Sequence, residues 1–167
     1  RAGAAARLMI VGQAPGTKVH ASGVPWDDRS GERLRDWLAV EPELFYDENR
    51  IAIVPMGFCF PGQDAKGGDL PPRKECAPAW HPLLRDHLPV VELTLLVGQY
   101  AQRYYLGTDA RPTLTETVRS WREFGPTFLP LPHPSWRNTG WLRKNPWFEA
   151  ELLPELRRRV ADCLDPA

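Results

Sequence analysis

Four short apolar runs limit the fold more than any other feature of the chain. They lie at residues 8–11, 51–54, 93–97 and 127–131. Each is almost continuously apolar, which is typical of strands buried on both faces of a parallel sheet. Helical patterns lie between the runs, so the sequence predicts an α/β fold, a three-layer α/β/α sandwich around a mainly parallel four-stranded sheet. The length predicts a single domain over residues 1–167.

The predicted helices follow from apolar residues spaced three and four positions apart. Leu34 and Leu38 lie on one face of the first helix, and Ser30 is placed to cap its N-terminus. The other helices show the same periodicity: one from near Arg73 with Ala77, Trp80, Leu84 and Leu88 on its apolar face, 99–106 ending at Gly107, 113–121 with Thr113 as the cap, and 147–164. Together they are expected to cover both faces of the sheet.

The composition is that of an ordinary folded protein without a strong overall charge. Lys plus Arg and Asp plus Glu are each 21, so any nucleic-acid binding must come from a local basic patch. No apolar stretch approaches the roughly 20 residues that a membrane-spanning helix needs. The three cysteines form no CxxC pair, which favours free thiols in a reducing compartment. The sequence therefore predicts a cytoplasmic protein with no membrane partner.

Two polar loops follow predicted strands and are expected to form a ligand site. The loop at 12–16 reads GQAPG and offers backbone N–H groups and a carboxamide; the loop at 132–138 reads PHPSWRN and offers an imidazole, a hydroxyl and a Trp-Arg pair. In an open parallel sheet such loops converge at the carboxyl ends of the strands, where ligands bind. The Pro- and Gly-rich stretch at 61–72 is expected to form a loop over this site.

The glycine loop does not match the common phosphate-binding patterns. It lacks GxGxxG, and Pro15 removes a backbone donor where a pyrophosphate needs one. No Gly-Lys-Ser or Gly-Lys-Thr follows, so it is not a Walker loop. The pattern leaves two interpretations open, close approach of a flat ligand to the backbone or a tight turn without a ligand.

A longer segment around the first loop resembles a known family. Residues 12–31 read GQAPGTKVHASGVPWDDRSG. This segment is similar, without a gap, to the first conserved block of the iron–sulfur-type uracil-DNA glycosylases, in which GEAPG is followed by SGxPF and GRSG. The ending at 28–31 also resembles the related broad-specificity glycosylases, and the HPS sequence at 133–135 resembles the family's second motif. The resemblance implies the uracil-DNA glycosylase-like fold, DNA as the partner and a monomer.

The resemblance implies roles for residues that would surround an extruded base. Trp26 would stack on the base, with core packing as the alternative for this residue. Gln13 and Ala14 would contact the base, and His133 would stabilise the anion that develops at O2 as the glycosidic bond breaks. Phe58 would form a wall of the pocket or simply pack.

The second motif also implies contacts with the DNA outside the base pocket. Ser135 would bind a phosphate or orient its loop. Trp136 and Arg137 would occupy the space that the base leaves. Arg143 would contact the DNA backbone, with an ordinary solvated surface as the alternative.

The position of the family's water-activating acid is occupied here by His20. Three residues are therefore open as candidates for activating water. His20 would act as a neutral base, or Asp27 or Asp28 would act as a carboxylate. A site with poorly activated water is the remaining interpretation.

A second departure concerns the residue that reads the edge of uracil. The family has an Asn there, and alignment on Cys59 places Pro55 at that position. Proline cannot make the bidentate contact that separates uracil from cytosine. The site would discriminate weakly, read the base through the backbone around 56–58, or act on another lesion.

A third departure concerns metal. Cys59 and Cys76 stand where the last two ligands of the family's iron–sulfur cluster would be, but the chain has no CxxC. Two thiolates cannot hold a cubane cluster. We therefore expect no cofactor and no metal for this chain; a cluster would require a CxxC from an upstream segment.

Two functions remain open on these grounds. The first is a monofunctional DNA glycosylase of base excision repair, which excises uracil or another deaminated base and leaves an abasic site. The second is a weakly active or inactive protein that binds damaged or abasic DNA, in one variant trapping the abasic sugar covalently through His133.

Overall fold

A computed structural model describes residues 1–165, so the last two residues of the predicted domain lie outside the described part. Its centre is a four-stranded sheet in the order β2-β1-β3-β4, with every neighbouring pair parallel. The strands are β1 (Leu8–Val11), β2 (Ile51–Ile53), β3 (Leu93–Val97) and β4 (Phe128–Leu131). The predicted strands are confirmed to within one residue at each end.

The helices in residues 1–165 lie between and after the strands. They are α1 (Thr17–Ser22), α2 (Arg29–Leu38), α3 (Pro42–Phe45), α4 (Cys76–Asp86), α5 (Gln99–Leu106), α6 (Leu114–Arg119), α7 (Thr139–Lys144) and α8 (Leu153–Leu164). A π-helical turn, Phe148–Leu152, runs directly into α8. None of these helices is both long and apolar enough to cross a membrane.

Side chains from the two faces of the sheet form two separate cores. Leu8 and Ile10 of β1 pack into a core that includes residues of α2 and α8, while Met9 and Val11 pack into a second core with residues of α4 and α5. This alternation follows from the two-residue period of a strand. The three-layer α/β/α sandwich is therefore confirmed.

The N-cap of α2 differs from the prediction. Asp28, not Ser30, precedes the helix, and its Oδ1 accepts a hydrogen bond of 2.8 Å from the Gly31 N–H. Asp28 has the extended backbone that a cap requires, with φ −158° and ψ −179°, whereas Ser30 already lies in the first turn. A carboxylate at this end is also favoured by the helix dipole.

Helix α4 begins at Cys76, later than predicted, and Trp80 is 55% exposed instead of buried. His81 takes the interior position. Its Nε2–H donates to the Pro55 carbonyl at 2.9 Å, and its Nδ1 accepts from the Tyr105 hydroxyl at 2.7 Å. Because both ring nitrogens have partners, the imidazole is buried without an unsatisfied group, and burial lowers the pKa of His81.

The remaining helix predictions agree more closely with the structure. Thr113 caps α6 in a reciprocal arrangement: its hydroxyl accepts from the Glu116 N–H, and the Glu116 carboxylate accepts from the Thr113 N–H. Helix α5 ends before Gly107 as expected. Helix α6 is shorter than predicted because the chain continues in a 3-10 turn at Trp121–Phe124.

The strand order places a crevice beside the end of β1. The chain leaves β1 towards α2 on one face of the sheet and leaves β3 towards α5 on the other face. Loops that depart to opposite faces leave an opening between them at the carboxyl ends of the strands. This opening is where the two polar loops are expected to meet.

Because Gly31 has no side chain, the backbone carbonyl of Trp26 can lie directly against it. A Cβ at Gly31 would lie 1.7 Å from the Trp26 carbonyl oxygen, whereas a Cβ at Gly140 would have nothing within 4 Å. We expect Gly31→Ala to lower the free energy of unfolding by about 1–3 kcal/mol or more, because the backbone at Trp26 must move. Gly140→Ala, also within a helix, is the matched control and should be neutral or slightly stabilising. Urea unfolding that gives equal losses for both variants would contradict this account.

Candidate functional site

A cavity of about 530 Å³ lies at the carboxyl ends of the strands, large enough to hold a small molecule. It is lined by the glycine loop after β1, by the segment before and at the start of α2, by the loop after β4 and by part of the loop between β2 and α4. The structure therefore brings together the two polar loops that the sequence singled out. The stretch at 61–72 contributes Gln63, Gly67 and Asp69 to the lining, as expected for a loop over the site.

Trp26 lines this cavity in a backbone conformation that is rare for a large side chain. Its φ is +60°, in the left-handed region. The carbonyl of Trp26 lies where a side chain at residue 31 would be. It accepts a hydrogen bond of 3.4 Å from Arg35 Nη1. Backbone strain of this kind persists only where the surroundings hold it, and it is concentrated at functional sites.

The indole of Trp26 also explains why residue 12 is a glycine. A Cβ at Gly12 would lie 2.8 Å from Cζ2 of Trp26. The close approach to this glycine, which one of the two interpretations of the loop gave to a ligand, is therefore made by the indole itself. Trp26 packs partly on the core and also lines the cavity, so the core-packing interpretation is confirmed and its stacking on a base stays a prediction.

His133 faces the same cavity, with its ring centroid 5.5 Å from that of Trp26 and the rings tilted by 33°. Its Nδ1 accepts a hydrogen bond of 3.2 Å from the Ser135 backbone N–H. A neutral imidazole that accepts at Nδ1 carries its proton on Nε2. Burial lowers the pKa of His133, and the nearby Asp28 and Asp69 carboxylates oppose this shift. At neutral pH the ring is therefore an uncharged N–H donor.

The loop that carries His133 is fixed by hydrogen bonds from several elements. Asn138 Nδ2 donates to the His133 carbonyl at 2.8 Å, and Arg33 Nη1 donates to the Ser135 carbonyl at 3.2 Å. Gln102, buried in α5, donates from Nε2 to the Leu131 carbonyl at 2.9 Å, just before the loop begins. Sequence reasoning missed Gln102, and only its place inside a predicted helix on the sheet could have indicated it.

Gln13 and Ala14 both line the cavity, as predicted. Within residues 1–165 the Gln13 carboxamide makes no hydrogen bond, so it is free for a ligand. The backbone beside it is occupied: the Gly57 N–H donates to the Gln13 carbonyl and the Met56 N–H donates to the Gly12 carbonyl, each at 2.9 Å. Two of the backbone N–H groups that were predicted to read a base around 56–58 are therefore already bonded within the protein.

Of the three residues considered for activating water, only Asp28 lines the cavity. His20 is exposed on α1, and its ring packs against Phe60 with centroids 5.4 Å apart. Asp27 is exposed and also lies outside the lining. The sequence did not single out a second carboxylate that lines the cavity. This is Asp69, which belongs to the stretch at 61–72.

Phe58 stands apart from the cavity lining. It is 40% exposed, and its ring packs near His81 with centroids 5.9 Å apart. Of the two roles predicted for Phe58, the structure agrees with packing and not with a wall of the pocket. Arg143 is exposed in the last turn of α7 and does not line the cavity, so its contact with DNA stays a prediction.

The residues after His133 form the mouth of the cavity. Trp136 is 68% exposed, so its indole is accessible beside the cavity. Arg137 donates from Nη2 to the Gly67 carbonyl at 3.2 Å, which links this loop to the stretch at 61–72. The Ser135 hydroxyl accepts from the Arg137 N–H at 3.3 Å and so orients its loop, one of the two roles predicted for it.

The stretch at 61–72 contains a small hairpin, here defined as residues 63–69. Gln63 and Asp69 pair in an antiparallel bridge. Asp64 Oδ1 closes the turn by accepting from the N–H groups of Lys66 at 2.8 Å and Gly68 at 2.9 Å. These contacts give the hairpin a defined fold, and the Arg137 bond to the Gly67 carbonyl ties it to the loop after β4.

The cysteines do not form a metal site by themselves. Cys59 is exposed and Cys76 is half-buried. Within residues 1–165, no group of three or more His, Cys, Asp or Glu side chains lies close enough together to hold a metal ion. A cubane cluster needs four thiolates, so the donors present do not fit it and no step proposed below uses a cluster.

The comparison with known families agrees with this architecture. The family model described as "Uracil DNA glycosylase superfamily" matches residues 2–157, which include every strand and all the residues that line the cavity. The match does not distinguish the iron–sulfur-type subfamily from other members, so that finer resemblance stays a prediction. The chain belongs to the uracil DNA glycosylase superfamily.

Proposed function

We propose that the protein is a DNA glycosylase that accepts an extruded uracil or another deaminated base in the cavity and hydrolyses its N-glycosidic bond. The observation that carries this proposal is the neutral His133, whose Nε2–H has no partner within residues 1–165 and lies beside the Trp26 indole. Enzymes that act on a base inside DNA must rotate it out of the stack into such a pocket.

His133 would stabilise the departing base. As the glycosidic bond breaks, its electron pair moves to the base and leaves an anion, with charge on O2 of uracil, and an oxocarbenium-like sugar. A donor that is already aimed at this oxygen lowers the barrier because it does not have to reorganise during the reaction. The hydrogen bonds from Ser135, Asn138 and Arg33 supply that rigidity.

Asp28 would act on the water. Its Oδ1 is held by the Gly31 N–H, and its Oδ2 has no hydrogen-bond partner within residues 1–165. The free oxygen is therefore available to orient a water molecule and to accept a proton from it as the water oxygen bonds to C1′ of the sugar. The products are the free base and an abasic site.

The remaining lining residues would bind the base and the DNA strand. The Trp26 indole offers a face on which a base can stack, a contact worth about 1–3 kcal/mol. The Gln13 carboxamide would pair with a polar edge of the base. Trp136 and Arg137 would fill the space left in the duplex, and Lys18 and Arg29, which also line the cavity, supply the local positive charge that a neutral protein needs for phosphate contacts.

A covalent trap is less compatible with this geometry. For His133 to attack the abasic sugar, Nε2 would need a free electron pair, but the Ser135 N–H holds the acceptor lone pair at Nδ1 and leaves the proton on Nε2. The damage-binding alternative keeps one observation in its favour, which is that Pro55 supplies no side-chain hydrogen bond to a base at the cavity.

Base release tests the proposal directly. We expect the protein to release uracil, hypoxanthine or xanthine from single- or double-stranded oligonucleotides, and His133→Ala to slow release about 10²–10³-fold through loss of the anion-stabilising donor. His87→Ala, which changes an exposed histidine at the end of α4, is the control. No release together with tight binding would favour the damage-binding function, and an SDS-stable adduct would favour the covalent trap.

The role of Asp28 has its own matched pair of variants. Asn caps helices as well as Asp does, so Asp28→Asn should leave α2 folded while removing the proton acceptor. We expect a loss of about 10²–10⁴-fold in the single-turnover rate of base release. Asp27→Asn removes the same charge at an exposed position outside the cavity and should change the rate little. If Asp27→Asn causes the larger loss, the assignment of the water-activating group to Asp28 is wrong.

The protonation state of His133 can be measured without the reaction. Since burial lowers its pKa below the usual 6.5, the midpoint of its titration should lie below that value. Long-range ¹H–¹⁵N NMR spectra, with the signals assigned by comparison with His133→Ala, should show the proton on Nε2. A proton on Nδ1, or a titration midpoint above 6.5, would contradict the donor role.

A further inference from the structure

The end of β2 offers no free polar side chain with which to distinguish one base from another. Pro55 lines the cavity but has no N–H, and its carbonyl is already engaged by Nε2 of the buried His81. The next two N–H groups, those of Met56 and Gly57, are bonded to the glycine loop. A side-chain contact to the base edge therefore has to come from another part of the lining.

The hairpin at 63–69 places a carboxylate at that lining. Asp69 is an exposed residue that lines the cavity, and its Oδ1 accepts a hydrogen bond of 3.3 Å from Gln63 Nε2. Its Oδ2 has no hydrogen-bond partner within residues 1–165. One oxygen is thus anchored while the other is available to a ligand.

Gly16 makes room for this carboxylate. A Cβ at Gly16 would lie 3.2 Å from Oδ2 of Asp69, tighter than an ordinary van der Waals contact. The backbone of Gly16 has φ −84° and ψ −179°, which any residue adopts, so its conformation does not require a glycine. The absent side chain instead allows Asp69 to approach the loop that carries Gln13.

A carboxylate at this position has a definite chemical preference. An ionised carboxylate only accepts hydrogen bonds. Uracil and hypoxanthine carry a ring N–H beside a carbonyl, whereas cytosine and adenine, from which they form by deamination, carry a ring nitrogen with a lone pair at the same position. Asp69 would pair with the N–H and would be repelled by the lone pair, a combination of attraction and repulsion that produces selectivity.

We propose that Asp69 reads the ring N–H of the extruded base and so determines the preference for deaminated over normal bases; this rests on the glycosylase function proposed above. The N–H lies on an edge that does not react, so the contact acts on binding of the base. The base gains negative charge as the bond breaks, so the carboxylate does not stabilise the transition state. Such a contact lowers KM and does not raise kcat. Asp69 is thus a specificity-determining residue, distinct in its kinetic effect from His133 and Asp28.

Kinetics on uracil-containing oligonucleotides test this assignment. Asp69→Ala should lower kcat/KM for uracil by about tenfold to a hundredfold, mainly through KM, as expected for loss of a charge-assisted hydrogen bond. Asp69→Asn keeps the shape and adds an N–H₂ donor that can face a ring lone pair, so it should raise the affinity for cytosine relative to uracil. Asp86→Ala, at an exposed site at the end of α4, is the charge-matched control and should leave KM unchanged. An unaltered KM and unaltered uracil-to-cytosine selectivity in Asp69→Ala would overturn the assignment.

A binding measurement separates this inference from the proposed activity. Fluorescence anisotropy at one fixed salt concentration would compare oligonucleotides that carry uracil or cytosine at the same position. If the parent protein releases no base but prefers uracil, and Asp69→Ala loses that preference, the glycosylase proposal fails while the role of Asp69 stands. If the parent protein releases uracil and Asp69→Ala keeps full selectivity, the role of Asp69 fails while the glycosylase proposal stands. A parent protein with no preference in binding or in release would overturn the role of Asp69.

Discussion

The hydrogen bond from the Ser135 backbone N–H to Nδ1 of His133 sets the chemistry of the whole cavity. It places the ring proton on Nε2, and burial keeps the ring uncharged, so the cavity contains a fixed neutral donor. Several contacts from other elements hold the loop that makes this bond. Gln102 fixes the end of β4, Asn138 and Arg33 fix the loop, and the parallel sheet carries the loop to the same edge as Gln13.

Trp26 shows how the same site depends on small residues. Its left-handed backbone and its indole both need space that side chains at Gly31 and Gly12 would fill. Arg35 holds its carbonyl, and Asp28, two residues later, both caps α2 and faces the cavity. One short segment therefore sets the stacking surface, the start of a helix and a carboxylate, which couples the stability of the fold to the geometry of the site.

The sequence was informative wherever a signal was local. Continuous apolar runs located all four strands, and the two polar loops were correctly expected to meet, because parallel strands end at one edge. Apolar periodicity misplaced Trp80, since it could not show that His81 would have two hydrogen-bond partners in the interior. Asp69 was missed for a related reason: its place depends on the hairpin and on the gap at Gly16, which are contacts between distant segments and leave no pattern in the sequence.

A crystal structure with DNA that carries a non-hydrolysable uracil nucleotide would test the central claim most directly. The account predicts an extruded base in the cavity, stacked on the Trp26 indole, with Nε2 of His133 at a hydrogen-bond distance of about 2.7–3.1 Å from O2 of the base. A base that stays within the duplex, or a His133 ring whose Nε2 points away from O2, would contradict it.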